Sequence, residues 1–289
     1  MSTPPLPPVA VIGPASWNHL VHLPTLPEPR PHMQFANRAY HTLGGTSAGK
    51  ALHLEGLGVH AVLHTQVADD PDGRRIVSAL QGVGVEVFAH RSSATERHVN
   101  LLSEHGERVS LYVSTPSTPT SAMVDSAMRA AAAARIAVID LGALGAQVLG
   151  RLDGGVPVWT DLHDYDGKSA FHELFLRSAE AVFMNADAVA DPWALLEMCV
   201  SRGPKLAVCT KGADGAIALT ADGERAQVPA VPTRIDDTNG AGDAFFAGLL
   251  ASHLAGASLP DAMAAAARQA AVALSSPHLH PALEEYFPA

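Results

Sequence analysis

From about residue 55 onward, the chain alternates between short unbroken apolar runs and longer stretches in which apolar residues recur every three or four positions. The runs are "HAVLHTQVA", "ARIAVIDL", "VPVWTDL", "AEAVFMN" and "KLAVCTKG". A strand that is apolar at nearly every position is covered on both faces, and strands each followed by a helix form a parallel sheet. The helical stretches between them are "RRIVSALQG", "SAMRAAAAA", "KSAFHELFLRSA" and "DPWALLEMCVSRG". The last has Asp191 in position to cap it and Pro192 at its first helical position. Two regions break the rhythm. "LVHLPTLPEPRPHMQFANRAYHTLGG" is proline-rich and reads as extended segments and turns, and "RHVNLLSEHGERVSLYVS" reads as two strands joined at Glu104-His105-Gly106-Glu107. Extended elements interrupting a doubly wound pattern predict a small β platform beside the main sheet. With no internal repeat or low-complexity linker to divide it, the chain reads as one α/β unit.

The C-terminal third carries "DDTNGAGDAFFAGLLASHLAG", residues 236 to 256. Phe245, Phe246, Leu249, Leu250 and Leu254 fall at helical spacing, which predicts a largely buried helix from Ala244 to about Ala255. The two glycines ahead of it leave the N–H groups of Gly240, Ala241, Gly242 and Asp243 uncovered, without intrahelical partners and at the positive end of the helix dipole. That is a site for an anion, phosphate above all. Yet a carboxylate, Asp243, stands at the same place. Either it caps the helix, or it works beside a bound phosphate as the base that takes a proton from an attacking hydroxyl.

Composition narrows the field. The chain has 289 residues, 47% of them hydrophobic, with a formal charge of −10. That suffices for a sizeable core and argues against nucleic acid or an anionic membrane as partner. An acidic protein that handles phosphate must do so with backbone amides, a few cations or metal ions. Cys199 and Cys209 form neither a metal spacing nor a disulfide framework, which fits a reducing compartment. "MSTPPLPPVAVIG" has neither the basic segment nor the long apolar core of a signal peptide, and no uncharged apolar stretch of about eighteen residues exists. The expectation is a soluble, cytoplasmic protein. His60/His64 and His278/His280 are spaced as metal pairs but lack a third ligand nearby.

Two further glycine-rich stretches bear on chemistry. "LGGTSAGKALHLEGLG", residues 43 to 58, contains Gly44-x4-Gly49-Lys50, close to a phosphate-cradling P-loop. That motif needs Ser or Thr after the lysine to hold Mg²⁺, and Ala51 stands there; a buried strand should precede it, and "NRAYHT" is a poor one. The plainer reading is a Gly44-Gly45 turn capped by Thr46 or Ser47 into a helix. A P-loop enzyme would lose all activity on Lys50→Ala, whereas otherwise a modest effect is expected. "GAGDAF" fails the dinucleotide fingerprint because Phe245 occupies the third glycine position. In "LAVCTKGADGAIALTADGE" a strand ends at Thr210-Lys211-Gly212 and Ala213-Asp214-Gly215 turns into "AIALT", an ordinary hairpin when taken alone.

Taken together, the order and spacing of the three stretches resemble the ribokinase-like (PfkB) carbohydrate kinase family, over essentially the whole chain from "VAVIGPASWNHLVHLPTLP" to the C-terminal helices. "DTNGAGDAFFAG", residues 237 to 248, is the most specific match. The resemblance implies a three-layer α/β fold with a mostly parallel doubly wound sheet, in a single domain over residues 1–289. It implies a small β lid contributed by about 14–42 and 95–115. It also implies an ATP- and Mg²⁺-dependent kinase in which a hydroxyl of a small polar molecule, most often a sugar, attacks the γ-phosphate. Asp243 then matches the catalytic base, with Gly240, Ala241 and Gly242 as the anion hole. Thr210, Gly212, Gly215 and Asn185 fall in the nucleotide pocket. Asn18, Gly44, Gly45 and Gly49 fall on the substrate side, the two adjacent glycines as the hinge of the lid.

The chain departs from the family pattern at several places. Asn18 replaces an Asp and Gly49 an Asn, both of which hold substrate hydroxyls in the family. In "NADA" Asn185 is kept, but Ala188 replaces the glutamate associated with Mg²⁺, and Asp187 is the nearest carboxylate. "SSPHLHPALEE" is shorter than the family loop that helps hold a monovalent cation, for which Asp237 and Asn239 offer ligands to K⁺. A nucleoside kinase of the same family and a non-catalytic nucleotide- or sugar-binding relative are the alternative functions. A homodimer through the lid is the partner the resemblance carries.

Overall fold

The computed structural model describes residues 7–288; residues 1–6, part of the N-terminal segment considered above for a signal peptide, and residue 289 lie outside the described residues. In chain order the elements are β1 (Val9–Ile12), β2 (Ser16–Leu23), β3 (Arg38–Gly44), α1 (Thr46–Gly56), β4 (Ala61–Val67), α2 (Pro71–Gly82), β5 (Glu86–Arg91), β6 (Glu96–Ser103), β7 (Arg108–Ser114) and α3 (Ser121–Ala133). There follow β8 (Ile136–Ile139), α4 (Ala143–Leu149), β9 (Val158–Asp161), α5 (Ala170–Ser178), β10 (Ala181–Asn185), α6 (Pro192–Ser201), β11 (Leu206–Thr210), β12 (Ala216–Thr220), β13 (Arg225–Val228), α7 (Ala241–Leu254) and α8 (Leu259–Leu274).

A nine-stranded sheet runs in the order β13-β12-β11-β10-β9-β8-β1-β4-β5. The strands from β11 to β5 pair in parallel, and β12 and β13 add an antiparallel edge. The chain leaves β1 first toward β4 and later resumes on its other side at β8, so the order reverses between β1 and β8. In open α/β sheets, ligands bind outside the carboxyl ends of the strands at such a point.

Why these strands are apolar throughout is visible in how the core divides. Val9, Val11, Ile136, Val138 and Phe183 point to the side covered by α1, α2, α7 and α8. Their neighbours Ile12, Ala137, Ile139, Val182 and Met184 point to the side covered by α3, α4, α5 and α6. Successive side chains of a strand face opposite ways, and here both ways lead into packed helices. Helix starts are fixed locally. Asp70 accepts the Gly73 N–H at 2.8 Å, and Asp191 accepts the Ala194 N–H at 3.1 Å with Pro192 next to it, as the sequence predicts. Helix α7 is apolar all round and buried from Ala244 to Leu250; a methyl group at Gly248 would lie 2.9 Å from the Ala266 Cα, so α8 packs directly on its backbone.

The remaining strands form a separate four-stranded sheet in the order β3-β2-β6-β7, with the β6–β7 hairpin where the sequence places it. Arg97 on β6 ties this sheet to the start of α2, donating to Asp70 and Asp72 at 2.7 Å each. A concavity of about 820 Å³ lies against one face of the small sheet, bounded by Trp17, His19, His41, Arg75, Tyr286 and Phe287. None of the site residues taken from the sequence lines it.

Among the described residues no helix is long and apolar enough to cross a membrane. No group of three or more His, Cys, Asp or Glu is placed to hold a metal ion among them either. The two histidine pairs of the sequence are used singly. His60 faces Glu55 and Glu86, His64 packs on Phe88 and His90, His278 shares a hydrogen bond with Thr42, and the His280 side chain accepts the Ala282 N–H. Cys199 and Cys209 are free and buried, and burial pushes their thiols up to about 12 and about 11.

Candidate active site

The front of α7 is not capped by Asp243. Gly240 occupies the cap with φ 81°, a left-handed conformation suited to glycine, and no side chain bonds the helix start. The first backbone bond of the helix runs from the Ala244 N–H to the Gly240 carbonyl, so the N–H groups of Ala241, Gly242 and Asp243 have no acceptor among the described residues. Gly242 is exposed, with open space where a side chain would be. A phosphate-sized anion has room at these amides, which carry the positive end of the dipole.

Asp243 is the third residue of α7, and its carboxylate turns away from the helix amides. Its Oδ1 accepts hydrogen bonds from the Thr46 hydroxyl and from Lys50 Nζ, the latter at 3.0 Å. Its Oδ2 has neither partner and lies over Gly49, where an added Cβ would be 2.9 Å away. The side chain is 13% exposed. It therefore lies neither in bulk water nor in closed core.

Lys50 is the centre of this arrangement, and the sequence gives its direction no hint. The side chain is wholly buried, with Nζ 3.0 Å from Asp140 Oδ1, 3.0 Å from Asp243 Oδ1 and 3.4 Å from Asp161 Oδ2. It also bonds the Thr46 hydroxyl and lies 5.0 Å from the ring centroid of Phe246. Asp140 directly follows β8 and Asp161 ends β9, on strands next to the switch point. Ser47 donates to Asp140 Oδ2 at 2.6 Å. One ammonium thus holds three carboxylates. Burial opposes the charged form of Lys50, but Asp140, Asp243 and Asp161 outweigh it and its pKa is raised. Burial likewise raises the pKa of Asp243; Lys50 and the Thr46 bond pull it back, while Asp161 and Asp140 push it up. For Asp161 burial is outweighed by His163, Lys50 and the His163 N–H, and its pKa is lowered.

Three expectations at α1 change accordingly. Thr46 and Ser47 do not cap it: the cap residue is Gly45, without a side-chain bond, and the two hydroxyls go to Asp243 and Asp140. The P-loop reading falls, because Lys50 points inward and has no path to a nucleotide phosphate. A modest effect of Lys50→Ala falls with it, since removing one partner from a buried ionic cluster costs about 3–5 kcal/mol.

The remaining substrate-side residues cluster at the same end. Gly45 has φ 95°, and a side chain there would strike the Pro14 carbonyl. The Asn18 side chain lies directly on Gly44, 2.0 Å from where a Cβ would be, and accepts from Ser16 at 2.8 Å. Gly44 and Gly45 thus admit the turn from β3 into α1 underneath Asn18. Beyond them, His98 on β6 contacts Glu96 at 2.9 Å and packs on Tyr112 of β7 with ring centroids 4.0 Å apart. The Tyr112 hydroxyl has a raised pKa from burial and from the charges of Glu96 and of Asp164, a residue of the large sheet's β9–α5 loop. His163, in the same loop, is the only non-glycine residue among those described with positive φ, at 52°. Such strain gathers at functional sites.

The nucleotide-side residues lie along the carboxyl ends of β10 and β11. Asn185 is registered with Thr210, and its Oδ1 accepts the Asp187 N–H at 3.0 Å. Asp187 is exposed, and Gly212 opens on free space. Gly215 does not open on space: a Cβ there would lie 2.0 Å from the Val228 carbonyl, so its smallness serves the packing of β12 on β13. Asp237 is buried and committed within the chain. It accepts from the Tyr40 hydroxyl at 3.0 Å and from the Asn239 N–H at 2.8 Å, with His22 Nε2 at 3.8 Å. Hydroxyl and amide donors converging on the carboxylate are a poor setting for a cation, and the Asp237/Asn239 pair does not fit K⁺.

Asp140, Asp161, Thr46 and Lys50 escape the sequence reading as members of the site. A signal exists for the first two: each is the lone carboxylate at the end of an otherwise apolar strand, in "AVID" and "VWTD". Ionised groups are seldom buried unless paired.

Comparison with known proteins bears on what such a site does. The pfkB family carbohydrate kinase profile matches residues 172–285. The chain is 32% identical over 255 residues to the acarbose 7(IV)-phosphotransferase of Actinoplanes sp., covering 86% of this chain and 85% of that one. Among solved structures it superposes on a microbiome-derived acarbose kinase at TM-score 0.80 with 27% identity, over 94% of each chain. It superposes on Arabidopsis thaliana ribokinase, complexed with ribose and ATP, at 0.77 with 21% identity, over 96% and 95%. The fold is thus that of the ribokinase-like phosphotransferases. The chain belongs to the pfkB family of carbohydrate kinases.

Proposed function

We propose that this carbohydrate kinase transfers the γ-phosphoryl group of ATP to a hydroxyl of an oligosaccharide-like sugar such as acarbose, with Asp243 as general base. The observation that carries the reading is the pairing, within one turn of α7, of unpartnered amides at Ala241–Asp243 with a carboxylate whose Oδ2 is free. The amides hold the phosphoryl group as charge builds on it, and Asp243 Oδ2 accepts the acceptor's proton. The acceptor oxygen bonds to phosphorus as the bond to the β–γ bridging oxygen breaks, and ADP leaves. Asn18 orients the acceptor from the small sheet, which acts as a lid that excludes water. Thr210 and Gly212 lie against the nucleotide. Asn185 and exposed Asp187 offer the oxygen donors Mg²⁺ takes; the ion, carried by the nucleotide, supplies charge neutralisation at the phosphates. The acceptor class rests on two similar proteins whose names specify acarbose, one of them 32% identical.

Release of ADP, measured with Mg-ATP against acarbose, maltooligosaccharides, simple sugars and nucleosides, tests the reading. Turnover with a carbohydrate is expected. Asp243→Asn should lower kcat by roughly 10²–10⁴ with ATP binding nearly unchanged. Turnover of nucleosides alone refutes the acceptor class, and full activity in the Asp243→Asn variant refutes the base.

A further inference from the structure

We propose that Lys50 is the positioning residue of the base: with Thr46 it clamps Asp243 through Oδ1, so that Oδ2, over Gly49, is the one oxygen offered to the acceptor. The inference rests on the proposed role of Asp243 and adds a residue that lies outside the glycine-rich motif of α7.

Three observations carry it. Both hydrogen bonds to Asp243 converge on one oxygen, from Lys50 Nζ and the Thr46 hydroxyl, four residues apart on one face of α1. The other oxygen meets Gly49, the residue between them in sequence that lacks a side chain to cover it. Finally, Lys50 is surplus as a packing element. A wholly buried ammonium is costly where an apolar side chain of that length would do, and it persists here among three carboxylates on three separate elements. Without it, Asp140, Asp161 and Asp243 would face one another unneutralised. Like charges at such range force one carboxyl to hold a proton. Of the three, Asp243 is one that burial, Asp161 and Asp140 already push toward the protonated form, with Lys50 the main group holding it back. A protonated Asp243 cannot act as a base.

The charged groups facing Asp243 are therefore Lys50 from α1, Asp140 from β8 and Asp161 from β9, with His163 beyond Asp161 at 3.7 Å. The arrangement predicts opposite effects on the acid limb of the kcat–pH profile, where activity is lost as Asp243 takes up a proton. Neutralising the cation in Lys50→Gln should move the limb to higher pH by about one unit or more. Removing a neighbouring anion in Asp140→Asn should move it to lower pH.

The experiment measures kcat and KM for Mg-ATP from pH 5 to 9 for the wild type, Lys50→Gln, Thr46→Val, Asp140→Asn and Asp243→Asn, each checked by thermal melting. In Lys50→Gln kcat at neutral pH should drop at least tenfold, the limb should rise, and KM for ATP should stay within about threefold, since no contact to nucleotide is lost. A purely structural lysine would lower the melting temperature and leave the limb where it is. Should Lys50→Gln not fold, Thr46→Val decides the clamp, because it removes the other bond to Oδ1: kcat should fall and the limb should rise, and an unchanged kcat and limb overturn the clamp. An unmoved limb in a folded variant overturns the role of Lys50 while leaving the base intact. Full activity of Asp243→Asn, by contrast, overturns the base itself.

Discussion

Gly49→Ala isolates the geometry of the proposed base, Asp243, from everything else. The added methyl would stand 2.9 Å from Asp243 Oδ2, 3.0 Å from its Cβ and 3.2 Å from its Cγ. Ordinary contact begins near 3.4 Å, so the carboxylate must retreat by roughly half an ångström, and a misplacement of ~1 Å costs about 10²-fold in rate. Retreat is resisted by the bonds from Thr46 and Lys50 to Oδ1, so the displacement falls on the free oxygen that faces the acceptor. We expect kcat to fall about tenfold, or about 1.4 kcal/mol in the barrier. Stability should move the other way. Gly49 lies inside α1 without a positive φ, and alanine there gains up to about 1 kcal/mol of helix propensity against the local crowding. Steady-state kinetics with saturating ATP and sugar, beside a melting curve, separates the two. A variant that melts at or above the wild-type temperature yet turns over slowly is the expected result. A folded Gly49→Ala enzyme with kcat within about twofold of wild type would refute the placement of Oδ2 as the working atom.

Two further outcomes follow from groups outside the base. Burial lowers the pKa of His53 to about 4, and burial with His90 does the same for His64, so both are held neutral when folded. A folded-state pKa below the unfolded value of about 6.5 means their contribution is whole above about pH 6.5 and lost as pH falls toward about 4. Urea midpoints should therefore drop between about pH 7 and 4.5, by an amount on the order of 2 kcal/mol per histidine at the acid end, and a flat profile would contradict it. Asp237 is already engaged by Tyr40 and Asn239, so replacing K⁺ by tetramethylammonium at fixed ionic strength should leave kcat unchanged. A large loss would show that a cation displaces those donors.

How far the sequence reveals this molecule depends on whether a residue's direction is set locally. The parallel sheet is legible because unbroken apolar strands such as "AVFMN" have only one stable setting, between two layers of helices. Helix α6 is legible because Asp191 and Pro192 act on their own neighbours. Direction across space is another matter. Lys50 sits at the end of a near P-loop pattern, and nothing within α1 says that its ammonium turns inward to meet carboxylates from β8, β9 and α7. Asp243 looks like a helix cap for the same reason: its true partners, Thr46 and Lys50, lie 197 and 193 residues away in sequence. Gly215 shows the converse, a motif glycine that strand packing against Val228 by itself requires to be small.

That sequence distance has a consequence for how the protein is made. The carboxylate on α7 acquires its environment only when the last third of the chain docks on the first, with β8 and β9 already seated between them. A polypeptide still emerging from the ribosome, or one cut anywhere before α7, owns the lysine and two of the acids, yet lacks the third carboxylate of the cluster. Phosphorylation is thus an all-or-none report that both ends have met, and its return should be the slowest signal to recover on refolding.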